Sequence, residues 1–595
     1  ACRGEPEQSW RAQPDGKKSC ALILSMGRMM WFVAPRMATV LGFRHFELRS
    51  SFRYVSRATD RTALGLTPPS IVEGNAPAWP VNPNARSFGD SGSDLVNVWR
   101  KKVFLADHTG YLRLLDDTEG ALFLRPQRFG KTLWLSTMEC YYSVRYADSE
   151  EKIRENKPCF STLFGGMGND NGPLAIARDD SRDKSLQNSF YVLRLVLPKV
   201  YEADETYEED EVIRFRAIFR DEINDQVRQF LSQNRDVSRV WKDALSVLDE
   251  PPSPIINAEN CMQSLRNVET AVNGYLDAPL MVLVDEADRA AMTALTSTDD
   301  VALGQKRHAN AMGASRALFG WLKDMRLRSG GGLFNRYFVT GITPIAPTDS
   351  IFNGYTSLTF DPNFANMLGL TESDVETLLS HVAKIPQETT ELTRVLDVVR
   401  SCYNGYVFNG AKEAVYNPQV VIRFAENYQT LFRSVIFDQD FVDRSLYVLT
   451  DDRQELSERQ VRLITRGTEL AGALLASSKE NAVVVGQLPE RFDATNLDSK
   501  ALSYLYHLGV LTFPSANGKP NNIPQPVSLC VPNNVTNLMF AEKFVGVLAG
   551  EVGTSIRFLK DPNVETLLEV LKKLLRKFKE SPCMSLGDEN EISMN

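Results

Sequence analysis

The stretch Ala121-Leu122-Phe123-Leu124-Arg125-Pro126-Gln127-Arg128-Phe129-Gly130-Lys131-Thr132 decides how this chain folds. Its four leading apolar residues follow Gly120, and such a short unbroken run suits a strand buried on both faces of a parallel sheet. Beyond it, Leu133, Trp134, Thr137, Met138 and Tyr141 recur at helical spacing, so a helix is expected over residues 133–142. The intervening loop therefore joins the end of a strand to the start of a helix. There, loop amides and the helix N-terminus present positive partial charge to an anion. Gly130-Lys131-Thr132 matches the end of the pattern G-x-x-x-x-G-K-[ST]. Gly130 admits close backbone approach, the Lys131 ammonium reaches β- and γ-phosphates, and the Thr132 hydroxyl ligates Mg²⁺. The pattern's first glycine is replaced by Arg125. A bare Gly-Lys-Thr triplet more often just opens a helix, so the phosphate reading leans on context.

That context lies downstream. Leu280-Met281-Val282-Leu283-Val284 is a second buried-strand run and ends in Asp285-Glu286. A carboxylate at the tip of such a strand holds Mg²⁺, a role for Asp285. The next acid, Glu286, orients or deprotonates an attacking water. Strands ending in solvated acids are common; one sharing a chain with a strand–Gly-Lys-Thr–helix unit is less so. Tyr337-Phe338-Val339-Thr340-Gly341 forms a third strand ending in a polar residue. Thr340 is read there as a γ-phosphate sensor, although an ordinary strand-end turn fits as well. Arg128 is open between a phosphate or transition-state contact and loop packing or a salt bridge with an acid. An arginine finger stays open among Arg289, Arg336 and a residue from another subunit.

Further strands and helices alternate around these segments. Residues 102–105, 112–115 and 190–197 are apolar, with the first and last strand-like. Residues 212–231 are amphipathic at helical period, residues 315–325 read as a helix, and the chain turns mainly helical after about residue 370. Alternating strands and helices predict an α/β three-layer sandwich with a mostly parallel sheet. Prolines and glycines between Thr67 and Gly92 mark a linker. The expected organisation is a basic extension and linker over 1–95 and a nucleotide-binding unit over 96–370. A helical lid over 371–450, a small α+β or winged-helix-like region over 451–545 and a helical tail over 546–595 follow.

Composition narrows the function classes. Of 595 residues, 43% are hydrophobic and 24% charged, as in a globular protein. The net charge of −8 argues against general nucleic-acid coating. It conceals a +7 segment over residues 17–61 and −15 elsewhere, including seven acids and no base over residues 201–212. The eight cysteines show neither paired nor Cys/His ligand spacing, which points away from a zinc module and towards a reducing, intracellular setting. No apolar run reaches the ~20 residues that span a bilayer, so no membrane association is expected. Lys17-Lys18 before Ala21-Leu22-Ile23-Leu24 loosely imitates a targeting peptide, but an irregular extension is the favoured reading.

At these residues the chain resembles the AAA-ATPase-like proteins usually associated with a PD-(D/E)XK nuclease domain. Phe104-Leu105-Ala106-Asp107-His108-Thr109 is similar to that family's aromatic-then-Asp-Lys-Thr entry motif, with His108 in place of Lys. Residues 123–132 resemble its Arg-Pro-Arg-Arg-Phe-Gly-Lys-Ser signature, which explains Arg125 at the glycine position; Gln127 and Thr132 depart from it. Val282-Leu283-Val284-Asp285-Glu286-Ala287-Asp288 is similar to its Walker B segment, with Ala287 for an aromatic. Thr340-Gly341-Ile342-Thr343, Ser350-Ile351-Phe352-Asn353-Gly354, Tyr403-Asn404-Gly405-Tyr406-Val407-Phe408 and Val415-Tyr416-Asn417-Pro418 resemble later blocks. Leu505-Tyr506-His507-Leu508-Gly509 resembles the segment that joins ATPase to nuclease.

The resemblance implies a P-loop ATPase that binds ATP and Mg²⁺. Arg125, Arg128, Phe129, Gly130, Lys131, Thr132 and Thr340 would contact nucleotide, Thr132 and Asp285 would hold the metal, and Glu286 and Lys131 would be catalytic. A homo-oligomer is compatible with this family. No Asp…Glu-x-Lys unit follows Asn533, so the nuclease half is expected to be absent or truncated. Two alternatives stay open: a nucleotide-dependent interaction module or effector without hydrolysis, and a nucleic-acid-processing factor lacking its nuclease.

Overall fold

A computed structural model describes residues 93–166, 172–178, 186–198, 210–247, 254–296, 301–330, 333–344 and 355–429, and 26 positions between 503 and 536. The basic extension, the 67–92 linker, the 350–354 block and the 546–595 tail lie outside the described residues. So do most of the 451–545 region and of the acidic run. The chain divides into two compact units, Ala1–Gly74 and Asn75–Asn595, and everything described belongs to the second.

Its centre is a five-stranded parallel sheet built from β1 (Gly120–Leu124), β2 (Tyr191–Val196), β3 (Leu280–Asp285), β6 (Arg336–Gly341) and β7 (Thr356–Ser357). The spatial order is β2-β3-β6-β1-β7. Every residue of β1, β3 and β6 is buried, as expected for strands covered on both faces. β2 lets Arg194 and Val196 reach partial exposure, which suits an edge. A short antiparallel pair, β4 (Ser329–Gly330) and β5 (Leu333–Phe334), precedes β6.

Successive side chains on the strands enter two different cores, because a strand's side chains alternate between faces. Ala121, Phe123, Met281, Leu283 and Phe338 join a core shared with Trp134, Leu135 and Met138 of the Lys131–Tyr142 helix. Leu122, Leu124, Val282, Val284 and Val339 pack instead with the Asp210–Gln233, Cys261–Tyr275 and Val301–Arg326 helices. Helices thus cover both faces, and the architecture is α/β in three layers as expected.

A third core knits the Glu372–His381, Thr390–Tyr403 and Pro418–Asn427 helices through Val375, Leu378, Val395, Val399 and Phe424. Their starts obey capping chemistry. Thr371 and Asp374 form a reciprocal capping box, and Asn417 caps the last helix with Pro418 at its first position.

One expectation needs correction. Residues 102–105 form no strand: Asp94 caps the Leu95–Lys101 helix, Lys102 ends it in the left-handed region (φ 52°), and only Val103 makes a bridge. Leu95 and Val98, three apart and fully buried, carry the helical period that the apolar run at 103–105 masked. The apolar residues 112–115 belong to the Tyr111–Leu115 helix.

Candidate functional site

The parallel register brings the three chemistry-bearing strand ends to one edge. Leu124 of β1 pairs with Gly341 of β6, and Val284 of β3 pairs with Val339, so the 125–132 loop, Thr340 and Asp285 open on the same side. This is the carboxyl edge of the sheet, where open α/β folds bind ligands. β6 separates the loop strand from the strand with the acids.

The loop is anchored from behind. Arg125 is 1% exposed, and its Nη1 donates to the carbonyls of Leu124 (2.9 Å) and Thr359 (3.0 Å). Its Nη2 donates to those of Phe364 (2.9 Å) and Ala365 (3.3 Å). The guanidinium also lies 4.1 Å from the Phe123 ring centroid and 4.0 Å from that of Phe408. Burial pulls it down to about 10. In this structure Arg125 acts as a bracket, with both Nη atoms committed to backbone carbonyls. Phe129 is a second anchor, 1% exposed, meeting Tyr406 and Phe408 edge-on at 5.0 and 5.6 Å between centroids. Asn417 reaches the Gln127 carbonyl at 3.4 Å.

Two backbone positions mark the loop. Gly130 has φ 87° at the helix N-cap, and Arg128, half-buried, has φ 67°. A left-handed arginine is strained by about 1 kcal/mol or more, and such strain gathers at ligand-binding turns. The half-buried Lys131 folds its ammonium onto the loop, donating to the carbonyls of Pro126 (2.7 Å) and Arg125 (3.0 Å). Burial pushes it down to about 8, against the pull of Asp285, Asp288 and Glu286. The register of β1, β6 and β3 sets this lysine and the acids after β3 on the same sheet edge. Thr132 begins the helix beside it, its carbonyl held by Arg194 Nη2 at 3.2 Å.

At the end of β3, Asp285 is 2% exposed and its Oδ1 accepts the Glu286 amide at 2.9 Å; Oδ2 has no partner among the described residues. Glu286 sits at φ 50°, a second strained residue facing the same edge. Burial raises its carboxyl above the ordinary range, with Arg289 opposing and Asp285 and Asp288 adding to the rise. Arg289 Nη1 lies 2.5 Å from Glu286 Oε2.

Thr340 lies near the end of β6. Its hydroxyl donates to the Phe123 carbonyl at 2.7 Å inside the sheet and ties β6 to β1. Arg336 opens β6 at the opposite edge and donates to the Asp116 and Thr118 carbonyls, which removes it as a finger from the same chain.

Sequence reasoning passed over Asp288. Buried, it accepts from the amides of Ile342 (3.1 Å) and Thr343 (2.8 Å) and from the Thr343 hydroxyl (2.7 Å), fixing the turn after β6 against the acid turn after β3. Gly341 permits this approach, since a Cβ there would meet Asp288 Oδ1 at 2.6 Å. Its signal was the acid three residues after Asp285 in the quoted block. Asp288→Ala should lower stability by about 1–3 kcal/mol in urea unfolding, because buried donors lose their acceptor. Asp107, in the entry motif, is likewise structural: it accepts from Thr109 and from the Ala175 amide.

Among the described residues no group of three or more His, Cys, Asp or Glu gathers as a metal cluster, and no helix is long and apolar enough to cross a membrane. No curated protein and no solved structure matches the chain. Residues 93–352, which carry the loop, both acids and Thr340, match the model of the AAA-ATPase-like family, described as predicted AAA-ATPase.

Proposed function

We propose that the chain binds ATP with Mg²⁺ at the carboxyl edge of the sheet and hydrolyses it, coupling nucleotide state to movement of the helices after residue 370. The observation that carries this reading is the parallel register, which opens the braced strand-to-helix loop with Lys131 and the Asp285–Asp288 turn on one edge of the sheet. Arg125 and Phe129 hold the loop through their side chains, which leaves its amides and the Lys131 ammonium for phosphate. An incoming triphosphate replaces the Arg125 and Pro126 carbonyls as the partner of Lys131.

The donor set fits Mg²⁺. The free Oδ2 of buried Asp285 and the Thr132 hydroxyl supply hard oxygens, and this ion otherwise keeps water and phosphate oxygens. Bound there, Mg²⁺ would neutralise charge building on the phosphate oxygens. Glu286 takes the proton from the attacking water, and burial has already raised its basicity. The Tyr406–Phe408 contacts to Phe129 are the route by which the loop would move the helical part. A nucleotide switch without hydrolysis is favoured by one observation, the close Arg289–Glu286 pair, which engages the base until Arg289 moves.

Phosphate release from purified protein with Mg-ATP tests the reading: turnover above background, lost in Lys131→Ala, is expected. Equal rates for both proteins overturn it.

Protonation of Lys131 adds a pH dependence. The free protein holds this group near 8, and phosphate binding requires the ammonium. ATP affinity is therefore expected to fall as pH rises above 8, approaching tenfold per unit, because binding must take up a proton. Lys131→Arg should flatten the profile measured from pH 7 to 9.5. Linkage has the opposite sign for the unliganded fold: between about 8 and the ordinary lysine value the unfolded chain binds more protons, so stability rises with pH.

A further inference from the structure

The 125–132 loop has a further backing that comes from far along the chain. Gly509, at φ 78°, lies so close to Pro126 that a Cβ on it would meet Pro126 Cβ at 2.8 Å. The Pro126 carbonyl in turn holds the Lys131 ammonium at 2.7 Å. Around Gly509, Leu505, Leu508, Val510 and Phe513 enter the same core as Phe129 and Phe408. Thr512, 1% exposed, holds both backbone groups of Val407: its hydroxyl accepts the amide at 2.7 Å and donates to the carbonyl at 2.8 Å. Thr512 also bridges to Cys530 through two backbone bonds of 2.8 Å. Residues 505–513 thus form a strap that touches the phosphate loop at Pro126 and the Tyr406–Phe408 block that braces Phe129.

The seat of this strap differs from inert packing. Tyr506 is 3% exposed and its hydroxyl has no hydrogen-bond partner, a cost that only the seated state carries. Gly509 makes a left-handed turn where any side chain would press on the loop. The strap can leave its seat without breaking the sheet, since none of its residues belongs to β1, β2, β3, β6 or β7. Loop amides bind phosphate well only when held in one arrangement, and the contacts to Pro126 and Val407 supply part of that hold. We propose that the strap and the phosphate loop are allosterically coupled, bound nucleotide and a seated strap each stabilising the other. The coupling is reciprocal by linkage, so whatever lifts residues 505–513 weakens nucleotide binding and whatever seats them strengthens it. Nucleotide state thereby gains an outlet distinct from the helices between residues 372 and 427. The proposal rests on the ATP reading of the loop and adds how that site is regulated.

Amide hydrogen exchange of the full chain, without Mg-ATP and with Mg-ATP at a level that saturates in calorimetry, tests the coupling. Mg-ATP is expected to slow exchange over residues 505–513 about fivefold or more, well beyond its effect on the Cys261–Tyr275 helix in the other core. Equal slowing in both, or none over 505–513, overturns the coupling. Thr512→Val releases the strap at Val407, outside the 125–132 loop. It should speed exchange over 505–513 and weaken Mg-ATP about fivefold or more. Val237→Ala, a truncation in the other core, controls for lost stability and should leave Mg-ATP affinity within about twofold. A Thr512→Val affinity no weaker than that of Val237→Ala also overturns the coupling. Absence of binding heat from Mg-ATP on the unaltered chain overturns the ATP reading, and the coupling with it.

Discussion

Glu286→Gln is expected to slow phosphate release by about 10²–10⁴-fold while Mg-ATP stays bound. The change keeps the side chain's shape and removes its ability to accept a proton. The carboxylate it replaces sits at the end of β3 with burial raising its basicity and Arg289 alongside. Binding should survive because the lysine, the loop and Asp285 are untouched. Loss of the Arg289 ion pair should do little to the fold, since both partners are about a third exposed or more and such pairs contribute little. Single-turnover quench measurements separate the steps: bound ATP that is not cleaved identifies Glu286 as the base. Unchanged cleavage would move that role to another group and leave Glu286 as a partner of Arg289.

Arg125→Ala is expected to cost stability rather than affinity, by about 3 kcal/mol or more in urea unfolding. Four carbonyls lose their donor at once, and the rings of Phe123 and Phe408 lose the group between them. Arg125→Lys should recover little, because an ammonium cannot reproduce the planar fork that spans Leu124, Thr359, Phe364 and Ala365. Folded Arg125→Lys should bind ATP much closer to the unaltered protein than Lys131→Ala does. An affinity loss as large as that of Lys131→Ala, without a drop in stability, would restore Arg125 as a phosphate contact.

How far the chain could be read follows from the range of its interactions. β1, β3 and β6 are legible because continuous apolar runs are what two-sided burial requires, and Asp285 and Glu286 mark where β3 leaves the core. The loop is legible because Gly130, Lys131 and Thr132 act locally. β7 is not: Thr356–Ser357 is two residues long and polar, and it becomes a strand only by pairing with Ala121 and Leu122. The bonds that Arg125 and Thr340 make are hidden from the sequence for a related reason. The partners of Arg125 lie 234 to 240 residues away at Thr359, Phe364 and Ala365, and that of Thr340 lies 217 residues away at Phe123. No local pattern announces such bonds. The same holds for the aromatic contacts that set Tyr406 and Phe408 against Phe129, which turn a block without derivable chemistry into the backing of the loop.

The central claim is that the 125–132 loop and the acid end of β3 make one Mg-nucleotide site. Calorimetric titration of ATP with Mg²⁺ and then with excess chelator, on the unaltered chain and on Asp285→Asn, tests it most directly. One site is predicted, weakened by the chelator, lost in Lys131→Ala, and much less sensitive to the chelator in Asp285→Asn because the metal loses its carboxylate ligand and keeps only the Thr132 hydroxyl. An ATP affinity that ignores both Mg²⁺ and these two residues would contradict the account.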